Sequence, residues 1–115
     1  LLDATLQFRT RPDLFFAGQI IGVEGYMGNV ASGLVAGLNL SRWLLGKPLL
    51  AFPLETMTGA LLHYISHASP VDFQPMKAMF GILPPLPDPP RGRKDRGLAY
   101  AARALKALDA MIGEK

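Results

Sequence analysis

The sequence predicts an α/β unit: two strands, a glycine turn and a long helix, then two further helices separated by a proline-rich belt. Three observations carry the prediction. Apolar residues alternate and then run unbroken through the first 17 positions, glycines recur at 18, 22 and 25, and a long charge-free segment with helical spacing follows.

Leu2, Ala4, Leu6 and Phe8 alternate with Asp3, Thr5, Gln7 and Arg9, the period of a half-buried strand. Arg11, Pro12 and Asp13 are expected to turn, because proline fixes its own backbone and pushes its predecessor out of the helical region. Residues 14–17 then read as a more fully buried strand that feeds the glycines. Glycines at 18, 22 and 25 let backbone amides approach a ligand, and the helix start that follows leaves N–H groups unpaired with partial positive charge. Their order, G-x-x-x-G-x-x-G, differs from the dinucleotide fingerprint G-x-G-x-x-G. Structural turns use the same residues, so spacing alone leaves a plain turn and a site for an electron-rich ligand both open. Glu24, the one carboxylate in the turn, is expected to bond exposed amides or cap the helix rather than act as a general acid or base. Tyr26 is either core or a stacking surface for a flat heterocycle.

In the long helix Asn29 is the candidate N-cap, and Val30, Leu34, Leu38 and Ser41 or Leu45 fall on one stripe. Gly33 and Gly37 lie one turn apart. Each costs about 1 kcal/mol relative to alanine, which predicts close contact with a sheet or another backbone. Gly46 followed by Pro48 ends the helix. A second helix is predicted over 56–68 from Met57, Ala60, Leu61, Tyr64, Ile65 and Ala68, with Pro70 as its stop. Residues 74–91 hold six of the ten prolines and read as an extended linker or belt. A last helix is predicted over 95–112, with Leu98, Ala102, Leu105, Leu108 and Ile112 facing a partner surface.

Half of the 115 residues are hydrophobic and 18% are charged, a globular, loop-rich composition. The net charge of +3 permits an anionic partner without demanding one. With no cysteine, disulfides, thiolate metal sites and a cysteine nucleophile are excluded within the chain. Residues 25–41 are uncharged but carry too many polar and glycine positions for a membrane span, so a buried helix is expected and no membrane partner. No leader is visible, and the start on Leu1 leads to the expectation that the polypeptide continues upstream. His63 and His67 share a helix face, the geometry of a metal pair; the residues between them supply no carboxylate and no third ligand, so a packing or capping role is expected and no metal. Arg91, Arg93, Lys94 and Arg96 form a basic cluster after the belt, joined along the last helix by Arg103 and Lys106. Such a run is either a solvated face or a phosphate-binding one.

Residue identities add to this. Phe16-Ala17-Gly18-Gln19-Ile20, Gly22-Val23-Glu24-Gly25-Tyr26 and Ala31-Ser32-Gly33-Leu34 resemble the last flavin-contacting segment of the folate- and FAD-dependent tRNA uracil-5 methyltransferases. The likeness continues through Gly59-Ala60-Leu61-Leu62-His63-Tyr64-Ile65, Phe73-Gln74-Pro75-Met76 and Phe80-Gly81-Ile82-Leu83-Pro84-Pro85, and so spans nearly the whole chain.

The resemblance implies the carboxyl-terminal part of a Rossmann-like FAD-binding domain. Residues 1–46 would be its last strands, flavin loop and helix, 47–92 a helix and proline-rich connector of the same domain, and 93–115 a terminal amphipathic helix. It implies FAD, 5,10-methylenetetrahydrofolate as methyl donor, NAD(P)H as reductant, and 5-methyluridine in the tRNA T-loop as product, in the cytoplasm. Flavin contacts carry over to Gly18, Gln19, Gly22, Val23, Glu24, Gly25 and Tyr26, with Tyr26 near flavin or folate, and tRNA phosphates to Arg91, Arg93, Lys94 and Arg96. The FAD pyrophosphate fingerprint and the catalytic cysteine chemistry are expected in the upstream remainder of the same polypeptide, so this chain alone should be inactive and bind no FAD. Two stretches depart from the family pattern. Met27-Gly28-Asn29 replaces Val-Glu-Ser, and Met76-Lys77-Ala78-Met79 replaces Met-Asn-x-Asn, which removes a carboxylate and two amides. Two alternatives stand beside this reading: a sister flavoprotein that modifies wobble uridines, and a non-catalytic RNA-binding or interaction module.

Overall fold

A computed structural model describes residues 1–67, 74–77 and 79–113. Among the described residues three α-helices and two small sheets make up the α/β architecture. The first eight residues depart from the expected single strand. Asp3 to Leu6 close a tight turn, with the Leu6 amide donating to the Asp3 carbonyl at 2.8 Å, and Leu2 folds back to bridge Phe8. Leu6 takes a left-handed φ of 69°, which costs a side-chain-bearing residue about 1–2 kcal/mol. Burial offsets this, because the turn drops both Leu2 and Leu6 into one core. Alternation had the same cause as in a strand, two leucines seeking the interior, but a turn meets the demand in fewer residues.

What remains of the strand is β1, Gln7–Phe8, paired antiparallel with β2, Arg11–Phe15. The chain therefore reverses at Arg9 and Thr10, and Arg11, Pro12 and Asp13, expected to turn, lie in β2 instead. Proline is admissible there because the two-stranded ribbon has a free edge. Phe16 leaves the ribbon to meet Phe8 edge-on, ring centroids 5.9 Å apart. On the exposed face Arg11 grips Asp13 at 2.9 Å, and that hydrogen bond holds the Asp13 carboxyl below its usual pKa. This small contribution is present above the ordinary carboxylate pKa and fades as pH falls through the lowered one.

After a one-turn 3-10 helix, Gln19–Ile21, comes β3, Val23–Glu24, and then α1, Tyr26–Leu44. Helix α1 ends as expected. Gly46 takes φ 71°, and the Lys47 amide reaches back to the Arg42 carbonyl at 2.8 Å while Gly46 bonds Trp43. Its buried stripe is the reverse of expectation. Gly28, Ser32, Val35 and Asn39 face inward, whereas Val30, Leu34, Leu38 and Leu45 are exposed. Helical spacing located a stripe but not which side is covered, and here the inward side is specified by hydrogen bonds. The Asn39 amide, 0% exposed, donates to the carbonyls of Thr5 and Leu50 and accepts from the Leu50 amide at 2.8 Å. Gly33 and Gly37, expected to meet a neighbouring backbone, have open space where a Cβ would stand.

Helix α2, Met57–His67, begins one residue later than predicted. Thr56 caps it, its hydroxyl accepting from the Gly59 amide at 2.9 Å. Gly59 is obligatory: a Cβ there would collide with the Phe52 and Pro53 carbonyls. Ala68 and Pro70, the expected end of this helix, lie outside the described residues. Leu61 and Leu62 of α2 join Leu2, Leu6, Ile21, Val23 and Val35 in the core. The expected extended belt is interrupted by a strand and a turn. Met76–Lys77 forms β4, parallel to β3, and Phe80–Ile82 makes one 3-10 turn, so that Met76 and Ile82 pack on the core. Residues 83–92 are free of helix and strand, as the prolines require. Helix α3, Arg93–Gly113, is longer than predicted and contains no fully buried residue.

Candidate functional site

The loop from Gly18 to Tyr26 is held in one shape by three glycines and two anchors. Gly18, Gly22 and Gly25 have φ of 88°, 97° and 90°, a region that side-chain-bearing residues enter only at a cost. Ser32, buried in the second turn of α1, accepts a hydrogen bond from the Gly18 amide at 3.0 Å and donates to the Asn29 carbonyl. On the other flank the Met76 amide donates to the Gly22 carbonyl at 2.8 Å, and Val23 and Glu24 pair with Met76 and Lys77. The loop is thus clamped between the first turns of α1 and a strand more than fifty residues away. Sequence reasoning missed β4. Two residues are too few for a period, and nothing local marks their partner.

Helix α1 starts at Tyr26 with Gly25 as its N-cap, four residues before the expected cap Asn29. Asn29 instead turns its side-chain amide back to the Gly25 carbonyl at 2.7 Å, beside the backbone bond from its own amide. The first intrahelical bond belongs to Asn29, so the helix itself offers no acceptor to the amides of Tyr26, Met27 and Gly28. Glu24 does not cap them. Its carboxylate is exposed in β3, and α1 carries no acidic residue in its first turn. Tyr26 is 85% exposed, which settles core against surface in favour of surface. Ile20 and Met27 stand exposed beside it and Gln19 is exposed as well, whereas Gly22 and Val23 are buried and shape the loop from beneath.

Gly28, a departure from the resembled pattern, has a local cause. A Cβ at that position would stand 2.9 Å from Val23 Cγ1 and 3.4 Å from Leu61 Cδ2. Its absence lets the first turn of α1 press onto β3 and α2. Of the second departure, Met79 is exposed, Lys77 is paired through its backbone in β4, and Ala78 lies outside the described residues, as does Phe73 of the resembled block. Tyr64 reaches that block by donating its hydroxyl to the Gln74 carbonyl at 3.2 Å.

The loop therefore presents bare amides with a positive helix end, rimmed by an aromatic and two aliphatic side chains. Such a donor set suits the electron-rich edge of a planar ring, and the exposed Tyr26 ring suits its face. These are features that the isoalloxazine of FAD would use, so the residues present fit that group.

His63 and His67 stack with ring centroids 4.0 Å apart. His67 Nδ1 lies 3.0 Å from the His63 carbonyl and 2.9 Å from the Ser66 hydroxyl, a packed arrangement at the end of α2. Arg91, Arg93, Lys94 and Arg96 are all exposed around the start of α3. Arg103 does not join them as expected. Its guanidinium donates to the carbonyls of Pro84, at 2.6 Å, and Pro85, at 3.2 Å, and it lies over the Tyr100 ring at 5.3 Å. It straps the proline belt to the helix. Among the described residues no helix is long and apolar enough to cross a membrane.

A family model described as glucose inhibited division protein A matches residues 1–48. Curated relatives match further. The chain is 53% identical over 94% of its length to a protein of Syntrophomonas wolfei, and 52% identical over its whole length to one of Desulforudis audaxviator. It is 54% identical over 94% of its length to one of Synechococcus elongatus. All three are named methylenetetrahydrofolate–tRNA-(uracil-5-)-methyltransferase TrmFO. The chain spans about a quarter of the length of these relatives, 25%, 26% and 23% respectively.

Proposed function

We infer that the chain belongs to the folate- and FAD-dependent tRNA (uracil-5-)-methyltransferases and forms the carboxyl-terminal section of their FAD-binding domain. In this reading residues 1–46 close over the flavin, 47–92 brace that loop from behind, and 93–115 present a basic helix to tRNA. The observation that carries it is the loop 18–26, three left-handed glycines leading into a helix start whose amides no side chain caps. When bound, FAD supplies the reducing equivalents that turn a folate-borne methylene into the methyl group of 5-methyluridine in the T-loop, with NAD(P)H as the reductant that restores it.

This chain contributes binding and electrostatics. The amides around Gly25 and Tyr26 and the dipole of α1 favour negative charge on the ring edge by about 0.3 to 2 kcal/mol. Gly18 and Gly22 shape the backbone, Gln19 and Glu24 stand at its exposed rim, and Val23 supports it from the core. Tyr26 offers its ring to flavin or folate, while Ile20 and Met27 exclude water. Arg91, Arg93, Lys94 and Arg96 meet tRNA phosphates. Cysteine chemistry, the pyrophosphate fingerprint and the nucleophile belong to the rest of the polypeptide, no metal is assigned a role, and the cytoplasm is where folate, reductant and tRNA meet. Similarity to uracil-5 methyltransferases beyond residue 48, where the family model stops, favours this reading over a wobble-uridine enzyme or a non-catalytic module.

The test is expression of the full reading frame. A yellow protein that methylates unmodified tRNA with methylenetetrahydrofolate is expected. Gly25→Ala should lower flavin occupancy about tenfold, since the left-handed φ costs a Cβ-bearing residue about 1–2 kcal/mol. A colourless purified full-length protein, or Gly25→Ala with full flavin content, would refute the assignment.

A further inference from the structure

The Gly25 carbonyl accepts two hydrogen bonds from one residue. The backbone amide of Asn29 reaches it at 3.1 Å and the side-chain Nδ2 at 2.7 Å. The first closes the opening turn of α1; the second is extra to the helix. A carbonyl only accepts, so the nitrogen of the side-chain amide faces Gly25 and its oxygen turns the other way. That oxygen stands 3.2 Å from where a Cβ on Gly18 would be. The two ends of the loop 18–26 thus meet across one amide group, and the Gly18 amide is tied to the Asn29 carbonyl through the Ser32 hydroxyl.

The carbonyl of Gly25 and the amide of Tyr26 are two ends of one peptide group. A bond accepted at the oxygen draws electron density toward it and makes the N–H a stronger donor, by about 10–30% per bond. That N–H is one of the three to which α1 offers no acceptor, and no acidic side chain stands in the first turn. Asn29 therefore strengthens, from behind, a donor that points out of the helix end.

We propose that Asn29 is a positioning residue that tunes the loop for the charge that reduction adds to a flavin. Through the Gly25 carbonyl it holds and polarises the Tyr26 amide, so that the loop favours the reduced, negatively charged ring over the oxidised, neutral one. A donor gains about twice as much from a charged acceptor as from a neutral one, so the polarisation acts on the two redox forms unequally. The proposal rests on the flavin reading above and adds to it a side chain that itself touches no ligand.

The experiment measures the FAD midpoint potential of the intact polypeptide at about pH 8, where carboxylates are ionised, for wild type, Asn29→Ser, Asn29→Ala and Asn29→Asp. A serine hydroxyl can bond the same carbonyl four residues back, so Asn29→Ser should keep the preference for reduced flavin within about 1.5-fold. Asn29→Ala removes the donor and should lower that preference about threefold, which for a two-electron couple is a midpoint about 14 mV more negative. Asn29→Asp sets a charged acceptor against the carbonyl and should lower it at least about tenfold, or about 30 mV. A second readout needs no flavin. Gly25–Tyr26 is the one Gly–Tyr pair in these 115 residues, so carbonyl-13C glycine combined with 15N tyrosine reports on that peptide group. Its carbonyl resonance in the flavin-free polypeptide should move upfield in Asn29→Ala and Asn29→Asp and hold in Asn29→Ser.

An Asn29→Ala potential equal to wild type would overturn the proposal, as would Asn29→Ser shifted as far as Asn29→Ala. Variants that lose FAD while the potential of the remainder is unchanged would make Asn29 a structural staple only and overturn it equally. A wild type that takes up no FAD fails both readings, whereas a yellow wild type with unshifted variants fails this one alone.

Discussion

Asn39 is the side chain on which the geometry of α1 turns. It satisfies three backbone groups from two distant segments, residues 5 and 50, while itself shut off from water. Removing it takes a partner from the part-buried Leu50 amide and from the carbonyls of Thr5 and Leu50. Asn39→Ala is therefore expected to cost about 3 kcal/mol, read from urea melts, and Asn39→Leu should fare no better despite restoring volume. Gly59 sits at the same scale with a steric cause. Gly59→Ala forces a methyl into the Phe52 and Pro53 carbonyls, with an expected loss of about 1–3 kcal/mol in the same measurement. Ser32→Ala should cost about 1 kcal/mol by freeing the Gly18 amide. Faster hydrogen exchange at Gly18, with the core amides of α2 unchanged, would identify the loss as local to the loop.

At the scale of elements, the glycine loop depends on pieces that local pattern does not announce. Strand β4 pins Gly22 from the far end of the chain, and Thr56 sets where α2 begins. The belt is held by Arg103 through the carbonyls of Pro84 and Pro85, so one guanidinium ties it to the helix that carries the basic cluster. Arg103→Ala is expected to expose residues 84–91 to proteases at least severalfold faster while the rest of the chain resists. Arg103→Lys should rescue only in part, because an ammonium lacks the planar fork that spans two adjacent carbonyls. Equal cleavage of wild type and Arg103→Ala would show that the strap is idle.

For the whole molecule, several of the charged side chains have work inside the chain. Arg9 bonds Asp3 and the Ser66 carbonyl, Arg11 bonds Asp13, and Arg42 and Arg103 bond backbone carbonyls. Arg91, Arg93, Lys94 and Arg96 stand exposed near one end of α3, the cluster proposed to meet phosphates. Changing all four to alanine in the intact polypeptide is expected, on the proposed reading, to weaken tRNA binding and reduce the slope of log K against log salt by up to about 3 to 4, near one for each phosphate no longer neutralised. An unchanged slope would remove the cluster from the tRNA interface. Changing Arg103 should weaken binding, if at all, without altering that slope.

The amino-acid sequence by itself determined the α/β class, the three helices, the Gly46 stop and the positions of the left-handed glycines, because each follows from local chemistry: spacing, capping and the absence of a Cβ. Tertiary structure alone decided which face of α1 turns inward. Spacing marks an apolar stripe equally well whether this chain or another part of the protein covers it, and the buried hydrogen bonds of Ser32 and Asn39 have partners that no local pattern names. It decided in the same way that Leu2 and Leu6 share a turn rather than a strand and that Arg103 binds the belt. Each of these outcomes depends on contacts between segments far apart in the chain, where burial and partner geometry outweigh local preference.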